Sequence, residues 1–396
     1  MAIGFDEHQP LHTFREVVGL KQLLFAQKLI LCFAFHSVFI CSFLNLRSSS
    51  INILSLENFR FSTIHYFSSM IITKTPFRIS FVGGGSDLES FFSKKKGAVL
   101  STTIDKYMYI STHEFFERDK IRCKYSQTET VNDVDELQHP ILRTVLKDFD
   151  VKGIEVSSIA DIPGGTGMGS SSSFTVGLLH NINAYTDHEV TKESIGAGAC
   201  RVEIDLLGEP IGKQDQYAAA YGGLNIIEFH PDGSVHVEPV DISQKTRAEL
   251  NANLKLYYIG NQRSASKILA EQKKNTSQED KFKALEKMVD LVYDLKEVLV
   301  KGDLDAFGDL LHQNWLLKQS LAKGITTPRI NDLYAAATQA GARGGKLLGA
   351  GGGGFMLFYV DADKHSDVDA AMAELDATPF EFKMETEGSK IIHIES

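Results

Sequence analysis

A chain of 396 residues is long enough for more than one hydrophobic core, and its 43% hydrophobic and 23% charged content is ordinary for a globular enzyme. The net charge of −10 argues against nucleic-acid binding as the main function, because a nucleic-acid surface needs an excess of Lys and Arg. Any anionic substrate must therefore be held by local basic groups. Four cysteines without a CxxC pair indicate neither a zinc site nor a disulfide framework, and a reducing cytosol is the expected location.

The first 69 residues differ in composition from the remainder. They contain 10 of the 25 Phe but only 2 of the 32 Gly, and they include a 16-residue apolar run, Leu29–Leu44. That run is shorter than the roughly 20 residues that a membrane-spanning helix needs. Three interpretations stay open: a membrane anchor, a targeting or docking segment, and an over-long translation ahead of a domain that begins at Met70. We favour the third, because a clear strand pattern starts directly after Met70.

Strand-like segments follow Met70. Phe77, Ile79 and Phe81 alternate with polar residues, as in a strand that is buried on one face. Further strand-like segments come next, at Gly97–Ile104, Tyr107–Thr112 and Ile154–Ile159. Several strands ahead of a helix indicate an α+β layer.

A glycine- and serine-rich stretch, Pro163–Ser173, leads directly into the apolar segment Phe174–Leu179. This order predicts a loop that feeds the N-terminus of a helix. Glycine lets the backbone approach a ligand closely, and the free N–H groups at a helix start suit a phosphate. Serine hydroxyls can add hydrogen bonds or a magnesium ligand. A flexible linker is the alternative, but linkers rarely run from a Pro-led turn into an apolar helix.

Other nucleotide-binding patterns do not occur in the sequence. Gly83–Gly85 lacks the GxGxxG spacing of a dinucleotide site. No GxxxxGK[ST] occurs, and the nearest approach, Gly341–Leu347, has the wrong spacing and no hydroxyl. A Rossmann site and a P-loop are therefore excluded.

Two acidic residues after the loop are candidates for chemistry. Glu203 lies beside the apolar face of a predicted helix, where a solvated surface acid is the plain alternative. Asp215 stands at the start of a small-residue helix, so it is either an N-cap or a carboxylate that orients a substrate hydroxyl or accepts its proton. Lys213 could pair with that carboxylate or contact a phosphate, and a surface lysine is its alternative.

The second half of the chain predicts another α+β unit. A hairpin at Leu224–Val240 is followed by a polar stretch, Asp241–Asn253, where we place the domain boundary. A strand at Leu254–Ile259 and long helices precede a second glycine cluster, Gly341–Gly354. The strand, helix and strand that follow suggest a ferredoxin-like layer.

Three separated clusters, Thr75–Arg78, Pro163–Ser172 and Lys346–Gly354, resemble the motifs of the GHMP small-molecule kinases, a family that includes galactokinase, homoserine kinase and mevalonate kinase. The middle motif reads PGGTGMGSSS where the family typically has PxxxGLGSSA, so Met168 and Ser172 are mild departures. The resemblance runs from about Ile71 to the C-terminus.

Within the family, the chain is most similar to the kinases of D-glycero-D-manno-heptose 7-phosphate. This similarity rests on Phe77–Leu88, Thr103–Tyr107 and Gly212–Tyr217. Galactokinase has a Gly-Glu-His-Thr-Asp run where this chain has Gly83–Asp87, which keeps the Asp and loses the Glu-His. That difference argues for a related sugar that is held differently.

The resemblance implies an α+β fold of two domains. Residues 70–248 would form an N-terminal domain like domain 2 of ribosomal protein S5, and residues 249–396 a ferredoxin-like C-terminal domain. Residues 1–69 would lie outside the kinase.

The resemblance also implies roles for particular residues. Asp215 matches the catalytic carboxylate and Arg78 the basic residue that faces it, with Lys213 beside them, while Ser171 and Glu203 match ligands of Mg2+. The phosphates of ATP are expected along the loop, at Pro163, Gly164, Gly165, Thr166, Gly167, Met168, Gly169, Ser170, Ser171 and Ser172. Sugar contacts are expected at Asp87, Gly84, Gly85, Lys106, Gly351 and Gly352. Proximity to the motifs makes Lys106, Lys213 and Arg343 candidates for holding a phosphate on the sugar.

The expected function is ATP-dependent phosphorylation of the anomeric hydroxyl of a heptose 7-phosphate, which gives the 1,7-bisphosphate. The alternatives are another sugar 1-kinase, of the fucose or galactose type, and a non-catalytic sensor of sugar and ATP. A sensor would be expected to lose Asp215, Glu203 or Ser171, and all three are present. The expected partners are small molecules in the cytoplasm, with neither nucleic acid nor membrane, and a homodimer is one option for the oligomeric state.

Overall fold

The structure, a computed structural model, describes residues 70–260 and 265–395. The segment 1–69, for which the sequence leaves three interpretations, lies outside the described residues. The strands in chain order are β1 (Met70–Val82), β2 (Gly97–Glu114), β3 (Ile121–Lys124), β4 (Thr128–Val131), β5 (Ile154–Ala160), β6 (Leu224–Phe229), β7 (Val235–Pro239), β8 (Leu254–Gly260), β9 (Ala342–Leu347), β10 (Gly354–Val360), β11 (Thr378–Pro379), β12 (Met384–Glu385) and β13 (Lys390–Glu395). They form two sheets.

The helices connect and cover these sheets. In chain order they are α1 (Glu89–Phe92), α2 (Pro140–Asp148), α3 (Ser170–Tyr185), α4 (Lys192–Cys200), α5 (Gln214–Tyr221), α6 (Gln244–Asn253), α7 (Ala265–Asn275), α8 (Glu279–Lys301), α9 (Leu304–Gln319), α10 (Pro328–Gln339) and α11 (His365–Glu374). A π-helical turn, Arg201–Leu206, continues α4. In the two described ranges, no helix combines the length and the apolar character that crossing a membrane requires.

The first sheet is built around the long strand β2. Its main order is β13-β1-β2-β5-β3-β4, and all neighbours are antiparallel except β3 and β5. The sequence predicted separate strands at Gly97–Ile104 and Tyr107–Thr112, but β2 runs through both without a break. Its first half pairs with β6 and its second half with β5, so one strand serves two neighbours on the same side. β1 lies along the other side and carries Arg78.

The second sheet has the strand order β11-β8-β10-β9, and all of its pairs are antiparallel. If β8, β9, β10 and β11 are numbered 1 to 4 in chain order, the order across the sheet is 4-1-3-2. Helices α7, α8, α9 and α10 lie between β8 and β9 in the chain, and α11 lies between β10 and β11. This is the ferredoxin-like arrangement that the sequence predicted.

The two sheets share a continuous hydrophobic core. Phe81 on β1 packs edge-on against Phe307 on α9, with their ring centroids 5.3 Å apart. Phe91 on α1 packs against Phe282 on α8, with their ring centroids 4.7 Å apart. After β11 the chain returns to the first sheet, where β12 pairs with β2 and β13 with β1. The predicted boundary at residue 248 falls inside α6, and it remains a prediction. Two strands that follow it in the chain, β12 and β13, belong to the first sheet.

Candidate active site

A cavity opens between β1, the start of α3, the start of α5 and the loop between β9 and β10. The structure brings many of the predicted site residues into its wall. They are Arg78, Gly84, Gly85, Asp87, Gly165, Gly167, Gly169, Ser170, Ser171, Ser172 and Asp215. Residues that are far apart in the sequence, from Arg78 to Ala350, thus converge on one site.

The glycine-rich loop ends at the N-terminus of α3, as the sequence predicted. Gly165, Gly167 and Gly169 have φ angles of 78°, 85° and 75°, which side chains with a Cβ rarely adopt. Gly169 is the N-cap and supplies no side-chain cap to the helix. The N–H groups of the first turn are therefore available to an anion, which the positive end of the helix dipole also favours.

The two glycine clusters pack against each other. A Cβ built on Gly167 would lie 2.7 Å from the Leu348 carbonyl oxygen, and one on Gly354 would lie 2.3 Å from the carbonyl oxygen of Thr166. No side chain fits in this contact, because real Cβ atoms do not approach backbone atoms so closely. The second cluster therefore supports the first loop from behind, which the sequence did not indicate.

Arg78 and Asp215 form a bidentate ion pair at the cavity wall. Nε of Arg78 donates to Oδ1 of Asp215 at 2.8 Å, and Nη2 donates to Oδ2 at 2.6 Å. The remaining Nη1 donates to the Gly167 carbonyl at 2.7 Å. Two parallel hydrogen bonds fix the plane of the carboxylate. The N-cap alternative for Asp215 is wrong, because α5 begins at Gln214 and its N-cap is Lys213.

Glu203 is buried beside the start of α3. It accepts hydrogen bonds from the Ser171 hydroxyl and, at 2.7 Å, from Nε2 of Gln216. Burial raises the pKa of Glu203, and these hydrogen bonds oppose that shift. The surface-acid alternative is wrong, since only 1% of Glu203 is exposed.

The π-helical turn explains why helical spacing misplaced this residue. A π turn inserts an extra residue and rotates the subsequent side chains relative to the regular helix. Glu203 consequently points inward, whereas Leu206, at the end of the turn, is 46% exposed. Carboxylate and hydroxyl oxygens suit Mg2+, which takes one or two ligands from a protein and completes its shell with phosphate and water. The pair Ser171 and Glu203 therefore fits the ion that the resemblance implied.

Asp87 is the second carboxylate of the cavity. It accepts hydrogen bonds from the backbone N–H of Gly85 at 2.9 Å and from Nε2 of Gln214 at 3.0 Å. Burial, followed by the charge of Asp215, raises the pKa of Asp87. Gly212 lies directly against it, because a Cβ built there would fall 1.9 Å from Oδ2. The sequence analysis named Gly212 within the Gly212–Tyr217 motif and predicted no contact with Asp87.

Three predicted basic residues do not reach the cavity. Nζ of Lys213 donates to the Gly233 carbonyl at 2.8 Å and lies over the Phe92 ring, so it faces the β6–β7 hairpin. Lys106 pairs with its neighbour Asp105 at 3.5 Å. The structure therefore corrects the roles predicted for Lys213 at Asp215 and for Lys106 at the sugar.

Arg343 is occupied by two carboxylates at the surface, 2.7 Å from Asp361 and 3.0 Å from Asp305, which corrects its predicted role as well. Gly351 and Gly352 lie outside the wall, which takes Gly349 and Ala350 from the same loop.

Four residues of the predicted phosphate loop lie away from the cavity wall. Pro163 and Gly164 are exposed, and the Thr166 hydroxyl donates to the Pro163 carbonyl at 3.0 Å. The Met168 side chain is buried in the core, while its carbonyl accepts the backbone N–H of Arg78. These residues shape the loop and connect it to β1.

Two lysines in the wall were assigned no role from the sequence. Lys346 donates to the carbonyls of Ser80 and Phe81 at 2.7 and 2.8 Å, and burial lowers its pKa well below the ordinary value. Lys318 reaches the cavity from the last turn of α9, and burial lowers its pKa to about 8. The sequence does contain one indication that Lys318 points inward: it lies three residues after Trp315, on the apolar face of that helix.

Comparison with protein families agrees with this fold. The model described as "GHMP kinases N terminal domain" matches residues 137–223, and that described as "GHMP kinases C terminal" matches residues 295–380. The first match contains the glycine loop, Glu203 and Asp215, and the second contains Lys318 and the second glycine cluster. The chain belongs to the GHMP kinases. It is an enzyme of the kinase class.

Individual relatives extend over most of the chain. D-glycero-alpha-D-manno-heptose 7-phosphate kinase from Campylobacter jejuni is 29% identical over 332 residues, which are 81% of this chain and 98% of that protein. Galactokinase from Pyrococcus furiosus is 24% identical over 77% of this chain and 94% of its own length. A solved structure described as a D-glycero-D-manno-heptose 1-phosphate kinase from Bacteriodes thetaiotaomicron has a TM-score of 0.67 and 25% identity, and it covers 82% of this chain and 100% of the other.

Proposed function

We propose that this protein transfers the terminal phosphoryl group of ATP to the anomeric hydroxyl of D-glycero-D-manno-heptose 7-phosphate. The product would be the 1,7-bisphosphate, a precursor of a nucleotide-activated heptose. The observation that carries the proposal is the ion pair of Arg78 and Asp215, which stands between the glycine loop and the buried carboxylate Asp87. That arrangement offers a phosphate site on one side and a site for hydroxyl groups on the other.

The residues at the start of α3 would hold the nucleotide. The uncapped N–H groups after Gly169 would donate to phosphate oxygens, and the glycine contacts behind the loop keep space free for them. Ser171 and Glu203 would hold Mg2+. When bound, this ion would screen phosphate charge, which is its usual contribution in phosphoryl transfer.

Asp215 and Asp87 would hold the acceptor sugar. The Asp215 carboxylate, fixed by Arg78, would accept a hydrogen bond from the anomeric hydroxyl. This bond would orient the hydroxyl oxygen toward the terminal phosphorus of ATP. Asp87 would accept hydrogen bonds from other hydroxyl groups of the ring. The anomeric hydroxyl is more acidic than an ordinary alcohol, so a carboxylate suffices as its partner.

The choice of heptose 7-phosphate rests on the name of the Campylobacter jejuni relative. The name of the Bacteriodes thetaiotaomicron structure favours the opposite order, in which the 1-phosphate is the substrate. The galactokinase relative favours a third acceptor, an unphosphorylated hexose. A fucose-type 1-kinase and a non-catalytic sensor remain the further alternatives.

The proposal is tested by measuring ATP turnover with a panel of acceptors under identical conditions. The panel contains heptose 7-phosphate, heptose 1-phosphate, galactose, fucose and mevalonate. We expect the highest kcat/KM with heptose 7-phosphate, and phosphorus NMR of the product should show a new anomeric phosphate. Turnover of galactose or fucose without turnover of the heptose phosphate would contradict the sugar assignment. Binding of ATP without turnover of any acceptor would favour the sensor.

A further inference from the structure

Lys318 is a cation of the cavity wall with unused hydrogen-bonding capacity. Its Nζ donates to the Gly349 carbonyl and, at 3.4 Å, to the Leu347 carbonyl. An ammonium group has three N–H donors. Within the described ranges these two carbonyls are its hydrogen-bond acceptors, so one donor remains for a ligand in the cavity that Lys318 lines.

The other two cations of the wall are held by the protein's own carboxylate and carbonyl groups. Arg78 uses Nε, Nη1 and Nη2 on Asp215 and Gly167. Lys346 is held by two short hydrogen bonds to backbone carbonyls, and burial together with the charges of Lys318 and Arg78 lowers its pKa strongly. One of the two hydrogen bonds of Lys318 is long, at 3.4 Å, whereas both bonds of Lys346 are short, so the Lys318 ammonium group is less firmly held and can turn to a ligand.

The position of Lys318 relates it to both halves of the site. Its carbonyl partner Gly349 belongs to the loop that packs against Gly167 of the phosphate loop. Its charge also interacts with Arg78, Asp87 and Asp215. The ammonium group thus lies where the two glycine loops meet, within electrostatic range of the carboxylate that would hold the acceptor hydroxyl.

We propose that Lys318 is a further catalytic residue, which contacts the phosphoryl group during its transfer and neutralises charge on its non-bridging oxygens. This proposal rests on the proposed function only in that ATP is the phosphoryl donor. The new bond joins the acceptor oxygen to phosphorus, the bond from phosphorus to the leaving oxygen of ADP breaks, and the hydroxyl proton moves toward Asp215. Lys318 donates a hydrogen bond throughout and exchanges no atom.

The first test compares Lys318→Met with wild type and with Lys323→Met. Lys323 is an exposed lysine just beyond α9, so its variant controls for the loss of a lysine in this region. We expect Lys318→Met to lower kcat by about 10³-fold, because removing a preorganised charge from a phosphoryl transfer site typically costs that much. The KM values for ATP and for sugar should change by less than about threefold. Lys323→Met should match wild type.

The second test is the pH profile of kcat/KM, which a purely structural role would not alter. The groups that face Lys318 are Arg78, Lys346, Asp87, Asp215 and the two carbonyls. Burial lowers the pKa of Lys318 to about 8, so the wild-type profile should fall above that pH as the ammonium loses its proton. Lys318→Arg should retain more activity than Lys318→Met, and its profile should stay flat to about pH 10, because a guanidinium remains charged.

Each result supports or overturns the proposal. Lys318→Met with an unchanged kcat and a raised KM for the sugar phosphate alone would mean that Lys318 holds the substrate's own phosphate, and the proposal would be wrong. If Lys318→Met does not fold, the pH profile of Lys318→Arg tests the proposal instead. The proposal would be overturned if kcat/KM of Lys318→Arg fell at the same alkaline pH as that of the wild type. The best wild-type acceptor is used throughout, so an error in the sugar assignment leaves this test intact.

Discussion

Gly349 and Gly167 are in such close contact that a Cβ built on Gly349 would lie 2.4 Å from the Gly167 Cα. The two residues come from glycine clusters that are far apart in the sequence, and both have positive φ angles, of 67° and 85°. The phosphate loop therefore has its shape partly because a second loop supports it. The conformation of one loop should depend on the size of residues in the other.

Gly349→Ala tests this dependence. The added methyl group must push the loops apart, because the nearest atoms are backbone and cannot rotate away. We expect the KM for ATP to rise at least about tenfold and the free energy of unfolding to fall by about 1–3 kcal/mol. Steady-state kinetics and thermal unfolding measure the two effects.

Gly208→Ala is the matched control for this change. Gly208 has a φ of 69°, close to that of Gly349, but no atom lies within 4 Å of a Cβ built there. It therefore carries the same backbone strain without the collision. Equal KM values for ATP in the two variants would show that backbone strain, and not loop contact, determines the effect.

Asp215→Asn removes the charge of the carboxylate that faces the acceptor and preserves its shape. We expect kcat to fall by about 10³-fold, because the amide cannot accept the hydroxyl proton, while the dissociation constant of ATP stays within about twofold. Asp332→Asn, at an exposed position on α10, should behave as wild type. Retained turnover in Asp215→Asn would remove Asp215 from the mechanism.

Local features of the site were predictable from the sequence because they depend on near neighbours. The glycine loop, the helix start after Gly169 and the position of Asp215 in the first turn of α5 follow from residue types within a few positions. The strand order of the second sheet also followed from the order of its elements. The continuity of β2 did not, because the strand pairs with β1 along one edge and with β6, β12 and β5 in turn along the other.

The basic residues show where sequence reasoning failed. Lys213 was chosen because it stands two residues from Asp215, but proximity in the chain does not fix the direction of a long side chain, and its ammonium group faces Gly233. Lys318 is distant in sequence from Asp215 and reaches the same cavity through the packing of α9. Glu203 was misplaced for another reason, since a π turn cannot be inferred from a regular helical spacing.

Glu203→Gln should separate stability from activity. Burial raises the pKa of Glu203, so above its unfolded value the ionised carboxylate costs folding free energy, and this cost is absent at lower pH, where both states are protonated. Glu203→Gln removes the charge, and Gln216 can accept from the new amide through Oε1, which has no partner in the described structure. We expect a higher Tm than wild type near pH 7 and a smaller difference near pH 5.

The same variant should need more Mg2+ for turnover, because it loses the charged oxygen that would bind the ion. Activity measured across a magnesium titration checks this expectation. Ser171→Ala should also raise the magnesium requirement, but without the gain in Tm, because it leaves the buried charge in place. An unchanged magnesium dependence in both variants would place the ion elsewhere.

Gly212→Ala should weaken sugar binding and leave nucleotide binding intact. The new Cβ would fall 1.9 Å from Oδ2 of Asp87, so the carboxylate must turn away from its hydrogen bonds with Gly85 and Gln214. We expect the KM for the sugar to rise at least about tenfold, because a displaced partner for a substrate hydroxyl loses binding in the ground state. The KM for ATP should change by less than about twofold, since the three atoms nearest to the added methyl group all belong to Asp87.

Gly198→Ala provides the control for this last variant. A Cβ at Gly198, in α4, meets only a Leu179 methyl group at 3.4 Å, which is ordinary contact. Alanine there should be tolerated, and it should raise the free energy of unfolding slightly, because alanine favours a helix over glycine. An equal rise in the KM for ATP and for sugar in Gly212→Ala would indicate a general distortion of the cavity, and it would remove the argument that Asp87 selects the sugar.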